Sequence, residues 1–456
     1  MTVGVAAGIA FALAAVGCSQ TADPTTEESN IDRSLTDFME SASEPYRGDT
    51  VKVLAISSAQ ATAMAEMAKD FEKITGINVD ITTVAENDLV TKAQVTLSSN
   101  SPGFDVLQTL SFFVPSYAEN EWLYSVDELE KNADITYTEV DEAAYAPAAT
   151  AQLTYADELW ARPMFVATQL FYYRTDIFEE ADVDVPETIE ELLAAAESID
   201  SSETPAIAMR AGVGPTQNLF PWSAWLYNMG GGYFEAYDSE TGEYGGPTLD
   251  QGESVEAAKV YAETLQDYGP DGALTWAVAD VTRAFLSGQV AMIQEGSPFG
   301  GTLNDPEESG VAGKVGAFAM PAGEAGSYYP SAAQGWGVNR YSEHPEAAWL
   351  FTQWASDPSV LLESSLRTPF SAPPLVSVFD NEEFRAKYDF PGFLDSLETS
   401  LKGESSPIGG PYIPALQDWQ AVGQQVSVDF NKVITKQISA EDGMKSANEI
   451  LKSALK

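Results

Sequence analysis

Residues 51–83 read VKVLAISSAQATAMAEMAKDFEKITGINVDITT, and their punctuation decides the architecture. Val51-Lys52-Val53-Leu54-Ala55-Ile56 is a strand-length run rich in β-branched and apolar residues. Ser57 and Ser58 follow, a residue type that caps helices by accepting from a free backbone N–H. Met64, Met67, Phe71 and Ile74 recur at helical spacing, and Gly76 supplies the stop. Residues 77–83 then alternate β-branched with polar positions, which predicts a second strand. Strand, helix and strand in so short a stretch form a βαβ unit. That implies a parallel sheet with helices on its faces.

The same alternation runs outward from this unit. Helices are expected over 89–98 and 115–120, with a strand over 104–110 between them. Residues 159–173 carry Pro163 among many apolar and aromatic residues and predict a long extended crossing. Pro186 precedes a capping box, Thr188 with Glu191, that opens a further helix. A short strand and turn over 205–214, a helix over 222–229 ended by Gly230-Gly231-Gly232, and a surface hairpin over 237–246 come next. Val255, Ala258, Tyr261 and Leu265 mark an amphipathic helix, 281–286 another, and 289–294 a strand. Residues 335–341 read as a strand and 345–355 as a helix. The last two helices are 421–434 and the run that Ser439 caps. The fold class is α/β, and 456 residues predict two to three domains.

Composition excludes several functions. Asp and Glu total 69 against 23 Lys and Arg, a net charge of -46, whereas phosphate binding requires clustered basic residues. Nucleic acid is therefore not an expected partner, and an anionic membrane surface would repel the chain. Scattered acidic residues suit a solvated, extracytoplasmic surface. One cysteine, Cys18, and one histidine, His344, exclude a disulfide within the chain and a zinc site of the usual Cys/His type. Any histidine-based nucleophilic catalysis would have to use His344, which stands just before a predicted helix and reads as a surface or helix-start residue. No metal and no cofactor are expected.

The N-terminal segment reads as an address. Val3 to Val16 is small and apolar and shorter than the roughly 20 residues that span a bilayer. It resembles the core of a secretory signal, and Ala15-Val16-Gly17-Cys18 resembles the lipobox of bacterial lipoproteins, with Cys18 as the lipidated residue. Met1-Thr2 departs from that pattern in carrying no Lys or Arg. Residues 19–49 are rich in Ser, Thr, Asp, Glu and Pro and predict a flexible tether, in which Ile31, Leu35 and Phe38 have the spacing of a short helix.

Several blocks, in order, resemble the extracellular solute-binding proteins that include maltose-binding protein and the polyol binders. Phe104-Asp105-Val106 followed by Trp122-Leu123-Tyr124-Ser125-Val126-Asp127 is similar to one block of that family, and Pro163 with Leu170 to Phe178 to another. Pro186 to Leu192, Phe285 to Met292, Met320-Pro321 and Pro345 to Trp349 complete the match, with Ile189 where the family often carries Trp. Arg210-Ala211-Gly212 through Asn218 to Phe234, and Gln334-Gly335-Trp336-Gly337, resemble the polyol binders more closely.

The resemblance implies a two-lobed periplasmic-binding-protein-like fold with hinge crossings near Pro163, near Gly335 and between Pro373 and Leu394, and an interlobe cleft for ligand. The expected division is a signal over 1–17, a lipid-anchored tether over 18–49, lobe 1 over 50–161 plus 335–375, and lobe 2 over 162–334 plus 376–456. It also implies an ABC permease and a cytoplasmic ATPase as partners, membrane attachment through the lipid, a monomeric receptor and hinge closure as the mechanism.

Sugars and polyols present a C–H face that aromatic rings cover and hydroxyls that Asp, Glu, Asn, Gln and Arg satisfy. Open α/β sheets bind ligands beyond strand C-terminal ends and at crossings. Those positions nominate Ser57, Ser58 and Gln60 after the first strand, Gln108 and Ser111 after the third, and Gln169 on the crossing. In the second lobe they nominate Trp222, Trp276 and Glu295, the last as the preferred hydroxyl acceptor. Gly335 and Trp336, the preferred stacking ring, lie at the second crossing, and Arg367 in a Thr-Pro loop. Each has a structural alternative: helix capping for the serines, core packing for Trp222, a sheet position for Gln169, an ion pair for Arg367. The function so implied is carbohydrate or polyol capture for an importer, without catalysis. The rivals are a secreted carbohydrate-active enzyme with paired carboxylates, the same fold binding a peptide or metal complex, and an adhesive lipoprotein.

Overall fold

The computed structural model describes residues 30–238, 241–409 and 411–455; the expected signal, Cys18 and most of the predicted tether's first part lie outside the described residues. Among the described residues ten strands follow in chain order. They are β1 (Thr50–Ile56), β2 (Asn78–Val84), β3 (Val106–Leu110), β4 (Thr154–Tyr155), β5 (Glu158–Leu159), β6 (Arg162–Arg174), β7 (Ile207–Ala208), β8 (Met292–Gly296), β9 (Val315–Ala319) and β10 (Ser331–Val338). The opening βαβ unit forms as read. Helix Ala59–Thr75 is capped by Ser58 and ended by Gly76 at φ 73°, and β1 pairs in parallel with β2 and β3.

The main sheet runs β2-β1-β3-β10-β6-β8-β7, with β9 also on β6. Strand β6 is the joint of the molecule. Its first half pairs with β10 through Thr168, and its second half pairs with β8 and β9 from Gln169 onward. Two half-sheets therefore share one buried strand. Helices Ala59–Thr75 and Pro345–Ser356 pack on the first half. Helices Phe393–Lys402 and Val278–Leu286 pack on the strands of the second, and Gly252–Tyr268 packs on Leu219–Asn228 and Trp419–Ile434. The boundaries expected at 161/162 and 334/335 fall at the start of β6 and inside β10, the strands that run between the half-sheets.

Local chemistry accounts for the elements. The capping box of Thr188 and Glu191 is present at helix Ile189–Ile199, worth about 1 kcal/mol. Ser439 caps helix Ala440–Ala454. The hairpin expected over 237–246 is present and begins earlier, with antiparallel bridges at Phe234–Pro247 and Tyr237–Tyr244. The stretch expected to be a flexible tether differs most: Arg33–Ala42 is a helix whose Leu35 and Met39 are fully buried. Asn30 adds two hydrogen bonds to Glu363, at 3.0 and 2.9 Å. Burial of one leucine contributes about 1.5–3 kcal/mol, enough to hold an otherwise polar segment on the core. Among the described residues no helix is long and apolar enough to cross a membrane.

Candidate functional site

The two half-sheets enclose a cavity of about 80 Å³ between them. The first half supplies Ile56, Ser58, Gln60, Glu86, Gln108, Leu110 and Phe112; the crossings supply Phe165, Ala167, Ala332 and Gln334. The second half supplies Arg210, Thr216, Phe220, Gly296, Pro298 and Phe299. Several of these, Ser58, Gln60, Glu86, Phe112, Arg210, Pro298 and Phe299, follow strand ends, where loops lie open to a ligand. Four phenyl rings give the walls an apolar face, and amides, a guanidinium and a carboxyl supply the polar groups.

On the floor, an amide relay fixes the glutamines. Ile56 N–H donates to Gln108 Oε1 at 2.8 Å, and Gln108 Nε2 donates to Gln334 Oε1 at 2.6 Å. This commits the Gln334 carbonyl oxygen and leaves its amide N–H groups for the cavity. Ser58 Oγ accepts from Ala61 N–H at 3.3 Å, so it caps the helix while facing the cavity.

On the second half, Arg210 is held from three sides. Its Nε and Nη2 donate to the two oxygens of Glu295 at 2.8 and 2.6 Å, its Nη1 donates to the Thr216 carbonyl at 2.9 Å, and it lies 4.8 Å over the Phe220 ring. Tyr261 OH bonds the Arg210 carbonyl at 2.7 Å. Burial opposes the charge on Arg210 most strongly, but the Glu295 charge and hydrogen bonds outweigh it and raise the guanidinium pKa. Glu86, reaching in from the first half, shows the opposite balance. Burial raises its pKa, Glu295 adds to the rise, and Arg210 and the neighbouring Thr216 only partly offset it.

Of the residues nominated from sequence, Ser58, Gln60 and Gln108 line this cavity. Glu295 stands behind Arg210: with both oxygens on the guanidinium and 1% exposure, it positions Arg210 and does not face the cavity. Gln169 is buried in β6 and donates to the Phe220 carbonyl at 3.2 Å, bracing that segment from beneath. Ser111 is buried against Gln152 at 3.5 Å, and Ser57 is exposed with its backbone N–H on Val84.

The aromatic nominations need correction. Trp222 is a core residue, its ring 4.5 Å from Phe430 and 5.8 Å from Tyr233. Trp336 shares the sheet face of Gln334 but sits one pleat deeper, under helix Pro345–Ser356, with Phe351 at 6.4 Å and 1% exposure. Trp276 contributes its carbonyl, which accepts from Ala211 and Gly212 N–H at 2.9 and 2.7 Å and shapes the turn after Arg210. Gly335 is required by packing, since a Cβ there would stand 2.6 Å from the Arg162 carbonyl. Arg367 ion-pairs with Asp70 and Glu363 away from the cavity, and His344 precedes its helix and contacts Asp49 at 3.3 Å.

Sequence reasoning missed Glu86, Arg210, Gln334 and the phenyl walls. Arg210 and Gln334 stood inside quoted blocks, overshadowed by the adjacent tryptophan and glycines. Glu86 follows the end of β2, a strand end of the same kind that nominated Ser58 and Gln108. Among the described residues no group of three or more His, Cys, Asp or Glu converges as a metal site.

Comparison with known proteins agrees with this geometry. Residues 55–360 match the family model described as bacterial extracellular solute-binding protein. The chain is 27% identical over 384 residues, 82% of it and 83% of the relative, to a probable amino-acid ABC transporter periplasmic-binding protein of Sinorhizobium fredii. It is 23% identical over 394 residues, 83% of it and 82% of the relative, to an erythritol/L-threitol-binding protein of Mycolicibacterium smegmatis. A solved ABC transporter solute-binding protein from Agrobacterium radiobacter, in complex with ribitol, superposes with a TM-score of 0.78 at 21% identity, covering 89% of this chain and 99% of that one. A two-lobed α/β fold with a cavity walled by both halves, and a family match over most of its length, make this chain a member of the bacterial extracellular solute-binding proteins.

Proposed function

We propose that the protein captures a small, neutral, polyhydroxylated solute, a polyol or sugar, in the interlobe cavity and delivers it to an ABC importer. The observation that carries this reading is the charge and shape of the cavity. Arg210 is the one cationic side chain on its wall, and its two-pronged face is already occupied by Glu295. Phenyl rings remain for C–H faces, and amide N–H groups with a carboxyl remain for hydroxyls. The relatives that bind erythritol or threitol and ribitol support the polyol class. Ligand touching both halves would favour closure, and no covalent step is required. The lipid-anchored form, through Cys18, belongs to the same proposal.

An amino acid is the second reading, favoured by the relative from Sinorhizobium fredii. Its carboxylate would compete with Glu295 for Arg210, which argues against it.

A thermal-shift panel of polyols, monosaccharides, oligosaccharides and amino acids tests the reading. Ligand at 100 times Kd stabilises by about 2.7 kcal/mol. A rise with polyols or monosaccharides alone is expected. A rise with amino acids alone transfers the protein to the second reading. Replacing Cys18 with Ser should release the protein from the membrane fraction.

A further inference from the structure

Glu86 is the first residue of helix Glu86–Ser98 and the one charged side chain that the first half places on the described cavity wall. The charged and titratable groups facing it from the second half are Arg210, Glu295 and Tyr412. Arg210 and Glu295 neutralise each other at the back of the wall, so Glu86 is the one carboxyl on the cavity wall itself. Arg210 directs two short hydrogen bonds to Glu295 and a third to the Thr216 carbonyl, so Glu86 lies in the field of the cation without holding its fork. Opening the cleft would leave Glu86 at a helix start in water. With the halves together, a surplus negative charge is enclosed, and burying an incompletely paired charge is costly. A solute bearing O–H donors beside Glu86 relieves that cost. A solute bearing its own carboxylate adds a like charge and increases it.

We propose that Glu86 is the specificity-determining residue of this cleft, admitting neutral polyhydroxylated solutes because they donate hydrogen bonds to it on closure and rejecting anionic analogues. The inference rests on the polyol reading above and names the group that enforces it. Burial of the Glu86 carboxyl, which favours its protonated form, supports the argument that its charge is the costly element.

The test is calorimetric titration of the full chain and its E86Q variant with D-mannitol, ribitol and the aldonates of the same carbon skeletons, with circular dichroism confirming that both fold. Glutamine keeps an acceptor oxygen and removes the charge. The wild type should bind a polyol and not its aldonate. E86Q should bind the polyol about tenfold more weakly and improve the ratio of aldonate to polyol affinity by about tenfold or more. If the wild type binds the polyol and E86Q discriminates as strongly as the wild type, this inference falls and the polyol reading stands. If the wild type binds no neutral polyhydroxylated solute of the whole panel, both fall.

Discussion

Arg210 and Glu295 form a two-pronged ion pair, 2.8 and 2.6 Å long, with both side chains sealed from solvent at the back of the cavity. Removing one partner leaves the other charged and buried. E295A should destabilise the protein by about 3–5 kcal/mol in urea unfolding. The double variant R210M/E295M should lose less than E295A alone, because no charge is stranded. Equal or greater loss in the double variant would mean the pair is not coupled.

Trp222 and Trp336 are packing residues, so their substitutions should act on stability. Truncating either to alanine should cost about 3–5 kcal/mol. The milder Trp336→Phe variant should bind ligand within about twofold of the wild type, while Phe220→Ala, on the cavity wall, should weaken it at least about tenfold. A large affinity loss in Trp336→Phe would return that ring to the site.

Glu86 makes closure pH-dependent, with a defined sign. Burial in the cavity raises its pKa above the ordinary glutamate value, so a form that returns the carboxyl to water would bind a proton less readily. Closure is therefore favoured as pH falls through the raised value, and that contribution is lost as pH rises through it. The radius of gyration of the ligand-free protein, from X-ray scattering between pH 8 and 5, should shrink on acidification in the wild type. E86Q should show a flat profile over the same range.

The N-terminal helix Arg33–Ala42 belongs to the folded body. L35A should lower stability by about 2–5 kcal/mol, and a chain begun at residue 45 should melt at a lower temperature than one begun at residue 30. Identical melting curves would mean that the segment only rests on the surface.

The fold was legible where period and punctuation coincided. The 51–83 unit, the Thr188 capping box and the long crossing appear as read because each is a local pattern. The docking of Leu35 and Met39 was not, because a polar segment with one apolar stripe needs a tertiary partner to declare itself. The cavity was half legible. Strand-end reasoning found Ser58, Gln60 and Gln108, yet ring abundance pointed to tryptophans that the core consumes, while phenylalanines line the wall. Which glutamate faces the ligand and which holds the arginine depends on a contact 85 residues apart in sequence, beyond any local spacing.

Strand β6 keeps its ladder of hydrogen bonds from one half-sheet into the next, exchanging neighbours between Thr168 and Gln169. A pivot of this kind bends and twists; it has no slack to wander. Any relative motion of the halves is thereby confined to a narrow arc, like leaves on a torsion bar, which keeps Glu86 on one side and Arg210 on the other aimed at the same cavity. Capture speed should then depend on the stiffness of one strand more than on the length of any loop.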